Sequence, residues 1–480
     1  MINNTLNTFK GPDAIKDFLN PDNNLPLPLV ELPDSLNPYR NKGVRIFAKL
    51  MNFLPLNNMK SLPAYNMLME KDLSGVNTVI ENSSGNTVFS LAVIGRVFGI
   101  PQMKAIVSHE VSEGKLKLLR LLGTEVIVNE EPICPNPSDP TSGIYKAKEW
   151  AKEHGWFNPG QYDNEANPRA HEKWTGPQIW QQTDGKIDIL CAGLGTTGTV
   201  VGTGKYLKEK NKDIKIVGVT RKANNPVPGV RTQNLLQEVA FNWRDYIDDV
   251  QEVGTVKSFK KSLELCRAGL MVGPSSGFAL VGLLNYLSQQ KFETNEEKIA
   301  VFICPDSPMP YLDEYFEFLE KSDFPAIENE YLLKKELESK TTKIPDSIPE
   351  ITAEETFKIA FADSPEDIWN IVKQKKLVKT NKDVLLVDIR TPYEFEDFHI
   401  PNSRNVEVGF TDKQLKNKKL FKGKKVVFIC RRGNTSKIAT FKTIEAGIDA
   451  VSMKGGMTEW SRLNLPRVRA DVCIQRFNLN

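Results

Sequence analysis

Short apolar runs alternate with amphipathic runs from about residue 45 to 325, and this alternation limits the possible folds more than any other feature. The strand-like runs are NTVIE, KAIVS, TEVIV, IDILCAG, KIVGVT and KIAVFICP. Apolar residues recur at helical spacing in VFSLAVIGRVFG, VSEGKLKLLRLLG and TVVGTGKYLKE. Strands that alternate with helices in this way predict an α/β domain with a largely parallel sheet.

A second, smaller alternation follows a change of composition. Residues 326–363 are charged, carry prolines and alternate little, so we predict a linker there that is partly helical at its start. Beyond it come the helix-like SPEDIWNIVKQKK, the strand-like DVLLVDIR and KKVVFIC, and the helix-like SKIATFKTIEAG. We therefore expect one α/β domain over 1–325, a linker over 326–363 and a smaller α/β domain over 364–470.

Length and composition exclude several classes of protein. A chain of 480 residues is too long for one ordinary core, and 40% hydrophobic with 26% charged residues is typical of a globular protein. A net charge of +3, from 63 basic and 60 acidic residues, gives no reason to expect nucleic acid or an anionic membrane as a partner. No apolar run approaches the roughly 20 residues of a membrane helix. The polar N-terminus lacks the layout of a signal peptide.

The cysteines and histidines do not form a recognisable metal or disulfide pattern. None of the six cysteines shows CxxC spacing, and the four histidines are dispersed. This distribution argues against a zinc site and against a disulfide framework. We therefore expect no metal, and a protein of the reducing cytoplasm.

The stretch GLGTTG at 193–198 lies between a predicted strand and a predicted helix, where phosphate groups often bind. It satisfies GxGxxG, but the next strand ends in Thr220, Arg221 and Lys222 instead of the acid that binds a ribose hydroxyl. An arginine could still serve a 2′-phosphate, whereas the GKS or GKT of a Walker loop is absent. The backbone N–H groups and threonine hydroxyls of 195–199 suit a single dianionic phosphate. A glycine turn without a ligand is the alternative.

Four further motifs accompany this turn. ENSSGNT at 81–87 stands between a strand and a helix, and its hydroxyl, amide and N–H groups suit a carboxylate. Lys60 precedes an apolar helix in LPLNNMKSLPAYNML. The stretch QYDNEANPRAHEKWTGPQIW covers 161–180, and CPDSPMPYL covers 304–312 after a strand.

In this order, the five motifs resemble those of the cysteine synthase branch of the fold-type II pyridoxal-phosphate enzymes, over about residues 25–325. That family has an early Schiff-base lysine, a TSGNTG-like loop, a QF.NPANP..H..TTGPEIW stretch, a GTGGT phosphate loop and a PDSGERYL-like segment. The resemblance implies a tryptophan synthase β-like fold, pyridoxal 5′-phosphate as cofactor and a homodimer. The phosphate in question would then be that of pyridoxal phosphate.

The resemblance also implies roles for individual residues. Lys60 matches the lysine that binds the cofactor and moves the substrate's α-proton. Asn86 matches the asparagine at the cofactor's 3′-oxygen, and Ser307 matches the residue at the pyridine nitrogen. The cofactor phosphate would be bound by Gly195, Thr196, Thr197, Gly198 and Thr199. The substrate carboxylate would be bound by Ser83, Ser84, Thr87 and Gln161.

Alternatives remain open at several of these positions. The chain reads NNMKSLP where the family reads GSVKDR, which puts the family's substrate preference in doubt. A neutral Ser307 would leave the pyridine nitrogen mostly unprotonated and favour β-elimination and replacement, but Asp306 is a competing candidate. The hydroxyls of ENSSGNT could simply cap a helix. Arg231 could pair with a phosphorylated substrate or be an ordinary surface arginine, and the sequence slightly favours the second.

Residues 364–470 resemble the rhodanese domains. DVLLVDIRTPYEFEDFHIPNSRNV is similar to VDVRE..EY..GHIPGA.N, VVFICRRGNTSK to the active loop and KGGMTEW to the closing segment. The resemblance implies that Cys430 carries sulfur as a persulfide, favoured by loop N–H groups and a helix dipole. A buried structural cysteine is the alternative. Asp388, Arg390 and His399 match framework positions, and we expect Asp388 and Arg390 to pair.

Dual-specificity phosphatases share this second fold but use a longer loop than CRRGNT, so the sequence favours sulfur transfer. Both resemblances together predict β-replacement that forms L-cysteine or a related thio-amino acid from O-acetylserine or O-phosphoserine, with sulfur from a Cys430 persulfide. The alternatives are a cysteine desulfhydrase whose sulfide the rhodanese domain handles, and a quiet module that binds or senses an amino acid. The expected partners are an amino acid substrate, a sulfur donor and a second copy of the chain.

Overall fold

The computed structural model describes the residues 6–109, 111–129, 137–292, 296–328, 348–406, 421 and 423–468. Its contacts divide the chain into two compact units, Met1–Ala326 and Ile327–Asn480. The predicted helical start of the linker, ENEYLLKKELESK, lies largely outside the described residues, as do Cys134 and Cys473.

The first unit alternates strands and helices along most of its length. Its strands are β1 (Leu29–Glu31), β2 (Val44–Leu50), β3 (Thr78–Asn82), β4 (Gln102–Ser108), β5 (Glu125–Asn129), β6 (Ile187–Gly193), β7 (Lys215–Arg221), β8 (Asp249–Val253) and β9 (Lys298–Cys304). Its helices are α1 (Ala14–Leu19), α2 (Ser61–Met69), α3 (Asn86–Val97), α4 (Glu113–Leu121), α5 (Gly143–His154), α6 (Ala166–Ala170), α7 (Gly176–Gln182), α8 (Gly198–Lys210), α9 (Thr255–Arg267), α10 (Pro274–Ser288) and α11 (Leu312–Phe318).

These strands form two sheets. The larger has the order β1-β2-β9-β6-β7-β8, and every neighbouring pair is parallel except β1 with β2. The smaller is the parallel sheet β3-β4-β5. The strand β9 is buried along almost its whole length, as expected for a parallel strand with helices on both faces. The predicted α/β architecture with a largely parallel sheet is confirmed.

The motifs follow the carboxyl ends of these strands. The segment with Lys60 follows β2, the glycine turn follows β6, and Asp306 follows β9. Because β2, β9 and β6 are parallel neighbours, their carboxyl ends lie at one edge of the sheet, where α/β folds bind ligands. ENSSGNT begins at the carboxyl end of β3 in the smaller sheet and runs into the start of α3.

Glycines in α8 allow a close approach to α6. A Cβ on Gly202 would lie 1.9 Å from the backbone oxygen of Pro168, and one on Gly198 would lie 2.3 Å from Asn167 Oδ1. Real Cβ atoms do not approach other atoms so closely, so a larger residue would push the two helices apart. The start of α8 is therefore packed directly on the NEANP segment.

The second unit is a smaller α/β domain built on a single parallel sheet. Its strands are β10 (Glu350–Ile351), β11 (Val384–Asp388), β12 (Arg404–Asn405), β13 (Lys425–Ile429) and β14 (Ala450–Met453). Its helices are α12 (Ala353–Ala360), α13 (Pro365–Lys373), α14 (Pro392–Asp397), α15 (Asn434–Glu445) and α16 (Gly456–Arg462). The strand order is β10-β14-β13-β11-β12, with all pairs parallel.

The structure differs from the sequence-based expectation at the start of this unit. β10 and α12 lie within the predicted linker, yet β10 pairs with β14. Phe357 and Ala360 of α12 pack in the same core as Trp460. A capping box between Thr352 and Glu355 starts α12. The folded part of the second unit therefore begins before residue 364, because a short amphipathic helix in a charged segment still buries one face.

Within the ranges that the structure describes, no helix has the length and apolar character needed to cross a membrane.

Candidate active site

Lys60 lies at the end of a turn that is tied to two other segments. The Asn58 side-chain oxygen accepts the Lys60 backbone N–H at 3.0 Å. The Met59 N–H donates to the Pro305 oxygen at 2.8 Å, which joins this turn to the end of β9. Lys60 Nζ donates to Thr196 Oγ1 at 3.3 Å. The lysine amine therefore contacts the glycine turn after β6.

The surroundings of Lys60 favour its neutral form. Burial, together with the positive charge of Arg231, lowers the pKa of the amine to about 8, and the carboxylate of Glu81 acts in the opposite direction. An exposed lysine titrates about two units higher. A neutral amine can attack a carbonyl carbon or accept a proton, whereas an ammonium group can do neither.

The glycine turn brings the chain into α8, a helix of 13 residues. Thr197 has a left-handed φ of 66°, which redirects the backbone at the helix start. A Cβ on Gly195 would lie 2.2 Å from the Gly229 oxygen, so glycine is required there. The first N–H groups of a helix have no intrahelical acceptor and lie at the positive end of its dipole. The turn therefore offers an anion site.

The hydroxyls of this turn have spare hydrogen-bonding capacity. Thr196 Oγ1 accepts from Lys60 Nζ and, at 3.2 Å, from Asn167 Nδ2, so its own hydrogen can donate elsewhere. Thr197 Oγ1 is buried and has no partner among the described residues. Thr199 Oγ1 lies 3.3 Å from His171 Nε2. A buried hydroxyl without a partner at a helix N-terminus fits the phosphate of a cofactor.

Asn167 and His171 contact the hydroxyls of the glycine turn. Neither residue was assigned a role from the sequence. Asn167 Nδ2 also donates to the Gln161 backbone oxygen at 2.7 Å. Burial, with the Lys60 charge, lowers the pKa of His171 to about 3, so its ring is neutral. His171 Nδ1 lies 2.9 Å from Thr175 Oγ1. Both residues lie in the NEANPRAH stretch. The match of this stretch to the family pattern could have predicted that they belong to the site.

The ENSSGNT loop places Thr87 and Gln161 together. Thr87 Oγ1 donates to Gln161 Oε1 at 2.7 Å, and Gln161 Nε2 donates to the Asn82 backbone oxygen at 3.2 Å. Ser83 Oγ accepts the Gly85 N–H at 3.2 Å, a local bond that shapes the loop. Ser83 and its neighbour Ser84 are partly exposed on the turn that precedes α3. Hydroxyl and amide groups thus collect at the start of α3.

The buried carboxylate of Glu81 supports this loop. Its role was not predicted from the sequence. It is 2% exposed and accepts the N–H groups of Gly160 at 3.0 Å and Gln161 at 3.3 Å. Burial raises the pKa of Glu81 to about 7, although these hydrogen bonds oppose the rise. Because Glu81 holds the backbone of Gln161, it also sets the position of the bond between Gln161 and Thr87.

Asn86 contacts Asp306, which lies just after the end of β9 beside the lysine turn. Asn86 Nδ2 donates to Asp306 Oδ2 at 2.6 Å, and Tyr311 Oη donates to the same oxygen at 2.6 Å. Asp306 is 3% exposed, whereas Ser307 is only partly buried. The backbone that carries Ser307 adjoins Gly273, at the start of α10.

Arg231 is buried, so the interpretation as an ordinary surface arginine is wrong. It is 8% exposed, and its guanidinium lies 4.7 Å above the ring of Tyr162. Its backbone N–H donates to the Leu194 oxygen at 2.8 Å, beside the glycine turn. Its Nη1 atom is buried without a hydrogen-bond partner in the described part of the chain. A buried guanidinium with an open donor can receive an anion.

In the second unit, Cys430 follows β13 and starts a short loop that leads into α15. The Gly433 N–H donates to Cys430 Sγ at 3.1 Å, and Ser436 Oγ lies 3.3 Å from the same sulfur. Cys430 is 5% exposed, while Arg431 and Arg432 are exposed. A Cβ on Gly456 would lie 2.3 Å from the Cys430 oxygen, so α16 starts directly against the loop. The Gly433 N–H is therefore a hydrogen-bond donor to the sulfur at the start of the loop that leads into α15.

The framework residues of this unit are buried together, and the predicted pairing of Asp388 and Arg390 is confirmed. Arg390 Nη2 donates to Asp388 Oδ2 at 2.7 Å, and Arg390 Nε lies 3.0 Å from Oδ1. Arg390 also donates to the Phe398 oxygen at 2.6 Å, and His399 Nδ1 lies 2.8 Å from the Phe395 oxygen. These contacts hold the loop after β11 against α14.

Comparison with known sequences places each unit in a family. The family described as pyridoxal-phosphate dependent enzyme matches residues 22–306, and the rhodanese-like domain matches residues 364–463. The chain therefore belongs to the pyridoxal-phosphate dependent enzymes and carries a rhodanese-like domain. The resemblance inferred from the motifs, the fold class and the cofactor, pyridoxal phosphate, are confirmed.

The relatives of the first unit bear the names of enzymes that the motif order implied. The cysteine synthase of Aquifex aeolicus is 30% identical over 59% of this chain and 88% of its own length. Cysteine synthase B of Escherichia coli is 29% identical over 59% of this chain and 91% of its own length. Cystathionine beta-synthase of Apis mellifera is 32% identical over 60% of this chain, but the match covers 59% of that protein.

Solved structures resemble the first unit as well. The cysteine synthase of Entamoeba histolytica has a TM-score of 0.54 at 26% identity, covering 67% of this chain and 92% of the other. A hydrogen sulfide-producing enzyme of Fusobacterium nucleatum has a TM-score of 0.52 at 26% identity, covering 60% and 95%. The chain is thus a cysteine synthase-like enzyme joined to a rhodanese-like domain.

Proposed function

We propose that the first unit catalyses β-replacement on an activated serine, O-acetylserine or O-phosphoserine, to form L-cysteine or a related thio-amino acid. The sulfur comes from a persulfide on Cys430. The observation that carries the proposal is the position of Lys60 Nζ on the Thr196 hydroxyl, with burial and Arg231 lowering the amine pKa to about 8. The two relatives named cysteine synthase support the same reaction.

Pyridoxal phosphate, when bound, supplies an aldehyde that condenses with amines and a ring that accepts electrons from the substrate's Cα. The glycine turn at 195–199 would bind its phosphate, Asn86 its 3′-oxygen and Ser307 its ring nitrogen. The neutral Nζ of Lys60 would accept the proton from Cα and later return it. The substrate carboxylate would be bound by Ser83, Ser84, Thr87 and Gln161.

Arg231 favours a substrate whose β-substituent is already anionic when it binds, as the phosphate of O-phosphoserine is and the acetyl ester of O-acetylserine is not. Its Nη1 donor is buried without a partner among the described residues, and its charge acts on Lys60. A buried guanidinium without an anion is costly, and a phosphate oxygen would satisfy it with a charge-assisted hydrogen bond. We therefore place O-phosphoserine ahead of O-acetylserine as the first substrate.

The transfer of sulfur from thiosulfate through Cys430 to the substrate requires a thiol reductant. The Cys430 thiolate attacks the outer sulfur of thiosulfate, the S–S bond breaks and sulfite leaves with the electron pair. Two thiols then reduce the persulfide to sulfide and become a disulfide. After the Cα proton is removed, the Cβ–O bond breaks and the leaving group departs with its electron pair. Sulfide then forms the new Cβ–S bond, and the proton returns to Cα. Because one chain carries both units, the local concentration of sulfide donor is raised.

The test uses the full-length protein with O-phosphoserine or O-acetylserine, thiosulfate and a thiol reductant, and measures cysteine. Cys430→Ser should abolish cysteine formation from thiosulfate but leave formation from added sulfide unchanged. Cys266→Ser, at a partly buried cysteine of the first unit, is the matched control and should change neither rate. An unchanged thiosulfate rate in Cys430→Ser would contradict the coupling of the two units.

A second candidate runs in the opposite direction. The first unit would release sulfide from cysteine, and the rhodanese-like domain would handle that sulfur. Loading it on Cys430 as a persulfide requires a disulfide or another two-electron oxidant. The similarity to the hydrogen sulfide-producing enzyme of Fusobacterium nucleatum supports this candidate. Faster formation of pyruvate and sulfide from cysteine alone than of cysteine from an activated serine would favour it.

A further inference from the structure

The carboxyl group of Asp306 lies where three segments of the site meet, and its two oxygens are bonded unequally. Oδ2 accepts from Asn86 Nδ2 and from Tyr311 Oη, both at 2.6 Å. Oδ1 has no hydrogen-bond partner within the described ranges. A Cβ on Gly273 would lie 2.3 Å from Oδ1, so the start of α10 is packed against this carboxyl group.

Backbone contacts hold Asp306 in place independently of its side chain. The Gly273 N–H donates to the Asp306 carbonyl oxygen at 2.9 Å. Asp306 also forms an antiparallel bridge with Asn58, two residues before Lys60. The carboxyl group is therefore fixed between the lysine turn and the start of α10, and it is 3% exposed. A carboxyl group fixed in this way holds the side chains that form hydrogen bonds with it in a defined position.

We propose that Asp306, supported by Tyr311, is a positioning residue that orients the Asn86 amide toward the pyridoxal phosphate. An ionised carboxylate only accepts hydrogen bonds, so the amide of Asn86 must turn its nitrogen toward Asp306. One amide hydrogen is used on Oδ2, and the second remains for an acceptor such as the cofactor's ring oxygen. Without the carboxylate, the amide could rotate by half a turn and present its oxygen.

Tyr311 supports the ionised state of Asp306. Burial raises the pKa of Asp306 to about 6, and the hydrogen bonds from Tyr311 and Asn86, with the charge of Lys115, oppose the rise. Burial and the neighbouring carboxylate raise the pKa of Tyr311 well above its usual value, so its hydroxyl stays a donor. A protonated Asp306 could itself donate and would no longer select one orientation of the amide.

Two tyrosine variants of the full-length holoenzyme separate positioning from stability. Tyr311→Phe removes the hydroxyl that bonds Asp306. Tyr315→Phe is the matched control, because Tyr315 is equally buried, four residues further along, and its hydroxyl contacts Ser262. The measurements are the absorbance and fluorescence spectra of the bound cofactor, its rate of release on dilution, and the melting temperature.

We expect Tyr311→Phe to alter the cofactor spectra and to speed release by about tenfold, the effect of one lost hydrogen bond. Tyr315→Phe should lower the melting temperature while spectra and release stay as in the wild type. Asp306→Asn should exceed Tyr311→Phe in both readouts, and if it does not fold, Tyr311→Phe decides. Wild-type spectra and release in Tyr311→Phe, with a melting temperature lowered as in Tyr315→Phe, would overturn the proposal. The inference rests on the family's cofactor and not on the sulfur route.

Discussion

The side-chain nitrogen of Lys60 lies 3.3 Å from the hydroxyl oxygen of Thr196, although 136 residues separate them along the chain. One residue precedes α2, and the other stands in the glycine turn after β6. Pyridoxal phosphate carries its aldehyde and its phosphate on one small ring, so an enzyme that uses it must bring an amine and an anion site together. The contact between Lys60 and Thr196 satisfies this requirement.

Replacement of Lys60 by alanine should lower turnover by about 10³-fold or more, because the group that moves the α-proton is lost. Borohydride reduction of the wild-type holoenzyme should add the mass of the cofactor to the peptide that contains Lys60. Lys49→Met is the control, since Lys49 is a second buried lysine with a pKa lowered by burial to about 7. It should leave the labelling of Lys60 intact. Cofactor mass on a different lysine in the wild type would refute the assignment.

Covalent uptake of pyridoxal phosphate by the cofactor-free protein should accelerate with rising pH and level off above about 8. The reason is that the pKa of Lys60 is lowered by burial and by the charge of Arg231, and only the neutral amine reacts. Arg231→Met should move the midpoint to higher pH, whereas Arg244→Met, at an arginine that stacks on Trp243, should not. Stopped-flow absorbance measures the rate. A midpoint that stays or falls in Arg231→Met would contradict this role of the charge.

Arg231→Met should also change substrate preference. We expect the ratio of kcat/KM for O-phosphoserine to kcat/KM for O-acetylserine to fall by about 100-fold, because a buried charge-assisted contact is lost for one substrate only. The use of a ratio cancels effects that both substrates share. Steady-state kinetics with saturating sulfide measures it. Equal losses with both substrates would show that Arg231 does not recognise the phosphate.

The stability of the first unit should rise with pH because of Lys49. This side chain is fully buried, and burial lowers its pKa to about 7. Between pH 7 and about 10.5 the unfolded chain keeps a proton on Lys49 that the folded chain lacks, so raising the pH favours folding by up to about 1.4 kcal/mol per unit. Urea titrations at pH 7 and pH 9 should therefore show a smaller rise for Lys49→Met than for the wild type. Identical rises would contradict the prediction.

The ion pair of Asp388 and Arg390 should be essential to the second unit. Arg390→Met would leave the carboxylate of Asp388, which is fully buried, without its cation and should cost about 3–5 kcal/mol. Arg462→Met, at an exposed ion pair with Glu459, should leave the free energy of unfolding nearly unchanged, because solvent screens the pair. Thermal or urea unfolding of the second unit measures both. A small effect of Arg390→Met would show that the pair is dispensable.

Several features were determined by the sequence alone. The alternation of strands and helices predicted the parallel sheets, because burial on both faces leaves continuous apolar runs and helices repeat every 3.6 residues. The order of five short motifs indicated the family, since glycine turns and lysine segments carry their chemistry locally. The position of Cys430 between a strand and a helix was also predicted from the sequence.

Other features depended on the tertiary structure. The burial of Arg231, the support of Gln161 by Glu81, and the fold of 350–360 within the predicted linker could not be read from local patterns. Asn86 and Asp306 are 220 residues apart, and only the assembled fold of the first unit brings them within hydrogen-bonding distance. A residue's burial and its hydrogen-bond partners are properties of distant segments that fold against it, so they become visible only when the whole unit is assembled.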